Sequence, residues 1–124
     1  MKVYKKQSVY EAALDRIRYL FDEFPNVIVG FSGGKDSTVV LGLALIVARE
    51  NNRLPLDVLF IDQEAEWQAT IDMVKSVMYR DEVRPHWLQV PFKMENSTSS
   101  LDMWRKLWGE GEEWIRDKDP IAIT

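Results

Sequence analysis

The feature that most constrains this chain is a six-residue polar turn, Ser32-Gly33-Gly34-Lys35-Asp36-Ser37, set between two apolar runs. Upstream, Val27-Ile28-Val29-Gly30-Phe31 is short, β-branched and unbroken, as expected of a strand covered on both faces in a parallel sheet. Downstream, Ser37 to Glu50 is apolar nearly all round and predicts a buried helix ending near Asn51-Asn52. A turn in that place lies at a helix N-terminus, where unpaired amides and the helix dipole favour an anion. Adjacent glycines let the main chain approach a phosphate, Ser32 and Ser37 supply hydroxyl donors, and Lys35 supplies a point charge. Asp36 is the odd member: a carboxylate beside a polyphosphate is repelled unless a divalent cation such as Mg²⁺ lies between them. The plain alternative is a tight turn capped by Asp36 or Ser37, which needs neither two glycines nor a lysine.

Around this turn the pattern alternates. Ser8-Val9-Tyr10-Glu11 has the form of a capping box and opens a helix that Pro25-Asn26 stops. Its Tyr10, Ala13, Leu14, Ile17, Leu20, Phe21 and Phe24 fall on one stripe. Asp57 to Ile61 predicts a second buried strand closed by Asp62, and Trp67, Ile71, Val74 and Met78 mark one face of a third helix. His86 to Val90 predicts a third strand ended by Pro91. The polar segment Asn96 to Ser100 leads to an expected short amphipathic helix carrying Leu101, Trp104, Leu107 and Trp108; beyond Gly109 the pattern weakens. The expectation is an α/β fold, an open and mostly parallel sheet with helices on both faces. Its ligand sites belong at the carboxyl ends of the strands, in the turns at Ser32 to Ser37 and after Asp62. Within a single domain, residues 1–25 are expected to form the N-terminal helix, 26–108 the core that carries the phosphate-binding turn and 109–124 a C-terminal tail.

Composition narrows the function classes. A length of 124 residues suits one domain, and 46% hydrophobic residues exclude whole-chain disorder. The absence of cysteine excludes disulfides, thiolate metal sites and any nucleophilic thiol supplied by these residues. A net charge of −4 gives no basic field for nucleic acid. The longest apolar run, Val39 to Ala48, is about half of a membrane span. The basic start Met1 to Lys6 is not followed by a signal-like apolar block. A cytoplasmic location without membrane attachment is expected.

The turn fails two common glycine motifs. The position of the first Walker A glycine is Val29, and Asp36 stands where that motif needs Ser or Thr. Gly30, Gly33 and Gly34 do not space as G-x-G-x-x-G. What the six residues match is the signature of the PP-loop superfamily, the ATP pyrophosphatases and their sulfonucleotide reductase relatives. Such a match arises by chance in a chain this size on the order of once in 10⁵. From about Ile28 to Trp108 the chain resembles the phosphoadenosine phosphosulfate reductase-like branch. Phe60-Ile61-Asp62-Gln63-Glu64-Ala65-Glu66, Trp87 to Pro91 and Asn96 to Ser100 are similar to the co-activators of prophage gene expression, the immunoglobulin-binding regulator type.

The resemblance implies an adenine nucleotide alpha hydrolase-like, three-layer sandwich in compact or truncated form. It implies that Gly30 and Phe31 line the adenosine side, that Ser32, Gly33, Gly34, Lys35, Asp36 and Ser37 hold the phosphates, and that Phe60, Ile61 and Asp62 border base and ribose. The intact Gly33-Gly34-Lys35-Asp36 looks more like the ATP-cleaving members, so ATP with Mg²⁺ is the expected ligand, with Lys35 and Asp36 as the catalytic pair. Asp36, Asp62 and Glu64 are the candidate Mg²⁺ ligands, while Glu66 biases the next helix through its dipole. His86 and the tryptophans Trp67, Trp104, Trp108 and Trp114 are read as structural, and Arg116 as a side chain within possible reach of substrate.

Three functions compete: adenylation of an unidentified acceptor with release of pyrophosphate, a non-catalytic nucleotide-dependent phage or prophage regulator acting through a protein partner, and a reductase that borrows a cysteine from another chain. The apolar end Pro120-Ile121-Ala122-Ile123-Thr124 predicts completion by a homo-oligomer or a partner protein.

Overall fold

The computed structural model describes Tyr4, residues 6–98 and residues 100–124. Most of the basic start (Met1, Lys2, Val3 and Lys5) and Ser99 of the polar segment lie outside the described residues.

Helix α1 runs Val9–Glu23, and the expected capping box is formed: Glu11 N donates to Ser8 Oγ at 3.2 Å while Ser8 N donates to Glu11 Oε2 at 2.9 Å. Only Leu14 and Phe21 of its stripe are buried, with Ile17 packed against the core, whereas Tyr10, Leu20 and Phe24 are exposed. A helix lying along one neighbour, here α2, buries a single line of side chains.

Strand β1 (Ile28–Gly30) leads through the turn into α2 (Lys35–Glu50), which starts two residues before the expected Ser37. Strand β2 (Leu56–Ile61), α3 (Gln68–Met78) and β3 (Val83–Leu88) follow. The sequence placed the third strand after Pro85, yet β3 contains it. Proline is tolerated on an edge strand, and β3 is an edge of the sheet β1-β2-β3. All pairing is parallel, with Val29 opposite Val58 and Phe60 opposite Trp87. Beyond β3, Ile123 forms an isolated parallel bridge to Leu88.

The α/β class and the parallel sheet flanked by helices are as expected, but the cover is uneven. The strand order advances in one direction, so two right-handed crossovers put α2 and α3 on the same face. That face holds the buried Val29, Leu56, Val58, Phe60, Val83 and Trp87. The other carries Ile28, Gly30, Asp57, Leu59, Ile61, Arg84 and His86, none of them buried. The strands are therefore not covered on both faces, and α2 leaves Val39 and Val40 exposed.

The helix expected from Leu101 to Trp108 is not formed. Trp104–Leu107 is instead strand β5, antiparallel to β4 (Phe92–Glu95), with Phe92 opposite Leu107 and Glu95 opposite Trp104. The connecting polar segment is tied by the Asn96 carboxamide, which accepts from Thr98 N and Oγ1. Among the described residues no helix is long and apolar enough to cross a membrane.

Candidate functional site

The turn between β1 and α2 has the conformation its glycines call for. Gly33 takes φ +75°, and a Cβ there would lie 2.9 Å from Thr70 Cγ2, so glycine is required both for the left-handed bend and for packing on α3. Gly34 is the N-cap of α2 with no side-chain cap, which leaves the first-turn amides of Lys35, Asp36 and Ser37 available. A Cβ at Gly34 would meet only Ser32 Oγ, at 3.5 Å, and one at Gly30 would meet nothing within 4 Å. The side of the turn away from α3 is therefore open.

Proton counting describes the two hydroxyls. Ser37 Oγ donates to Gly34 O at 3.0 Å, so in its 3.0 Å pair with Ser32 Oγ it accepts, as it does from Ser32 N. The Ser37 hydroxyl braces the turn from inside, and the exposed Ser32 hydroxyl is the one that can be redirected to a ligand. Lys35 and Asp36 are exposed, with no hydrogen bond or ion pair to other described residues.

Beside the turn lies a cleft of about 300 Å³ at the carboxyl ends of β1 and β2. Gly30, Phe31 and Ser32 line it from β1 and the turn, Leu59, Phe60 and Ile61 from β2, and Gln63 and Glu66 from the loop beyond. The rings of Phe31 and Phe60 are buried in the core, Phe60 edge-on to Trp87 at 5.8 Å, so these two residues offer main chain to the cleft.

Asp62 faces away from it. Its fully buried carboxylate accepts from Glu64 N (2.8 Å) and Arg116 Nη2 through one oxygen, and from Trp87 Nε1 and Gln89 Nε2 (both 2.8 Å) through the other. Glu64, held at φ +59°, accepts from Trp108 N at 2.6 Å and Ile115 N at 3.0 Å. Both side chains fasten the C-terminal segment, and Trp108 Nε1 adds a bond to Asp62 O. The expected Mg²⁺ set is corrected accordingly: the structure does not bring Asp36, Asp62 and Glu64 together. Among the described residues no group of three such side chains is placed to hold a metal ion. Of the three, Asp36 is the exposed one without a partner among the described residues, and one carboxylate with ligand phosphates and waters is a common way to hold Mg²⁺.

The remaining residues sort plainly. Arg116 is consumed by Asp62 and by stacking over Trp108 at 5.0 Å. His86 lies inside β3, opposite Leu59, and shares a 2.7 Å hydrogen bond with Asp57, which also pairs with Arg84. These partners, His86 first, hold the Asp57 carboxyl below its usual range. Trp108 is buried against Trp114, but Trp67 and Trp104 are exposed, so packing does not account for those two. Gln63, for which no role was expected, and Glu66, expected only to bias the next helix, both line the cleft. Continued alternation past the strand puts Asp62 and Glu64 inside and Gln63 outside, but Glu66 falls out of that pattern, so no local signal marked it.

These features define an α/β domain of the Rossmann type with its cleft at the carboxyl ends of parallel strands. The chain belongs to the phosphoadenosine phosphosulfate reductase domain family, whose model matches residues 26–117. It is 36% identical over 130 residues to the uncharacterized protein YbdN of Escherichia coli strain K12; that similarity covers all of this chain and 32% of the relative, so the chain spans about a third of YbdN's length. No solved structure matches the chain significantly.

Proposed function

We propose that this chain binds an adenine nucleotide, ATP with Mg²⁺, and supports attack of an acceptor oxygen on the α-phosphorus. The observation that carries the reading is the turn itself: an uncapped α2 N-terminus, a left-handed Gly33 packed on α3, and unpaired Lys35 and Asp36 beside an open cleft.

In this reading the base and ribose rest in the cleft on Gly30, Leu59 and Ile61, and the phosphates meet the first-turn amides, Ser32 and Lys35. Asp36 holds the metal, which when bound neutralises charge on the phosphate oxygens. The new acceptor O–P bond forms as the bond from the α-phosphorus to the bridging oxygen breaks. Pyrophosphate leaves with the electron pair, and the acceptor proton passes to solvent. The amides and Lys35 stabilise the charge gathering on the leaving group, so positioning and electrostatics supply the catalysis without a protein nucleophile. A sulfonucleotide reductase activity would need a cysteine from outside these 124 residues.

The finer likeness to prophage co-activators supports a second reading, in which binding is retained without turnover and the exposed sheet face docks a protein partner. Pyrophosphate release on supplying candidate acceptors separates the two.

Calorimetric titration of ATP·Mg²⁺ tests the shared core. Lys35→Ala is expected to weaken binding by about tenfold or more, the usual worth of a hydrogen bond to a charged group. No heat with the native chain, or equal affinity in the variant, would overturn the nucleotide reading.

A further inference from the structure

We propose that Glu66 is a specificity-determining residue that makes the cleft select nucleotides with an unphosphorylated ribose and reject those carrying an additional sugar phosphate. The proposal rests on the nucleotide reading above and adds to it the class of nucleotide accepted.

The charge inventory of the cleft is one-sided. Among the described residues that line it, Glu66 is the sole charged side chain, and none is a lysine or an arginine. Glu66 is half-buried and has no hydrogen bond or ion pair to other described residues, so its negative charge is not neutralised by the protein. Arg116 is committed to buried Asp62 on the far side of the loop, and Arg84, at the opposite end of the strands, to Asp57. Lys35 stands at the turn, outside the cleft lining, where it serves the 5′-phosphates.

A ligand whose only anionic groups reach the turn therefore meets complementary charge, whereas one with a second anionic group on the sugar meets a carboxylate. A carboxylate accepts hydrogen bonds from ribose hydroxyls and repels a phosphate. Discrimination of this kind, an attractive contact for one ligand that becomes an unpaired like charge for its competitor, costs the preferred ligand nothing. Gln63, on the same loop, presents an amide with both donor and acceptor capacity and adds no charge.

The test uses two ligands that differ only by a 3′-phosphate, adenosine 5′-phosphosulfate and 3′-phosphoadenosine 5′-phosphosulfate, titrated calorimetrically beside ATP·Mg²⁺. The chain as it stands is expected to bind the first at least about tenfold more tightly than the second, with the ratio shrinking at high ionic strength. Glu66→Gln should reduce that ratio several-fold, and Glu66→Lys should erase or invert it, with circular dichroism unchanged because the side chain is on a surface loop. Lys35→Ala should weaken both ligands and leave their ratio alone. Equal affinity for the two ligands, or an unchanged ratio in Glu66→Gln, overturns the proposal while a Lys35 effect keeps the nucleotide reading. Absence of binding by all three nucleotides overturns both.

Discussion

Asp62 shows how a single carboxylate changes meaning with its surroundings. Four donors reach it in a fully buried position, among them the Arg116 guanidinium, whose own charge is left uncompensated if Asp62 is neutralised. Removing one partner of a buried pair typically costs about 3 kcal/mol or more. Asp62→Asn is therefore expected to lower unfolding free energy by about 3 kcal/mol, read from urea denaturation. A loss below about 1 kcal/mol would mean that the ion pair is not formed in solution. The neighbouring acidic residues divide by burial: Asp62 and Glu64 turn inward, whereas Glu66 lines the cleft.

Between elements, the closest coupling is that of the turn with α3. Gly33→Ala introduces both a left-handed alanine and a Cβ 2.9 Å from Thr70 Cγ2, for an expected loss of about 1–2 kcal/mol. Thr70→Ser removes that methyl group, so the double variant should recover part of the loss but not the share due to φ; no recovery in thermal melts would show that the contact is not what excludes a side chain. Across the open face of β2 and β3, Asp57 titrates below its usual range because His86 and Arg84 favour the charged form. A depressed carboxylate contributes stability that is fully present above the unfolded value, near 3.9, and is lost as pH falls through the lower folded value. Comparing acid unfolding of the native chain with Asp57→Asn should show a shallower loss below pH 4 in the variant. Parallel curves would remove the Asp57 partners as the cause.

Taken as a whole, the sheet is finished on one face and bare on the other. Ile28 and Ile61, each more than half exposed, lie on the uncovered face of strands that family resemblance led us to expect inside a three-layer sandwich. We expect the isolated chain to associate with itself as concentration rises, and sedimentation velocity over a wide concentration range checks this. A single monomeric species with full nucleotide affinity would overturn that expectation.

By itself the sequence determined the order of strands and helices around the turn, and the turn's chemistry, because these are set by local periodicity and by glycine and lysine at fixed spacing. The capping box at Ser8 followed from residues within one turn of each other. Only the tertiary structure decided the rest. The stretch Leu101 to Trp108 satisfies a helical spacing, yet Trp104 to Leu107 pairs with Phe92 to Glu95 as a strand. Asp62 and Glu64 satisfy the ligand chemistry of Mg²⁺, yet their oxygens are taken by donors as distant as Trp108, Ile115 and Arg116. The physical reason is shared: a buried polar group must find a partner wherever the chain brings one, and partners more than 40 residues away leave no mark on the local pattern.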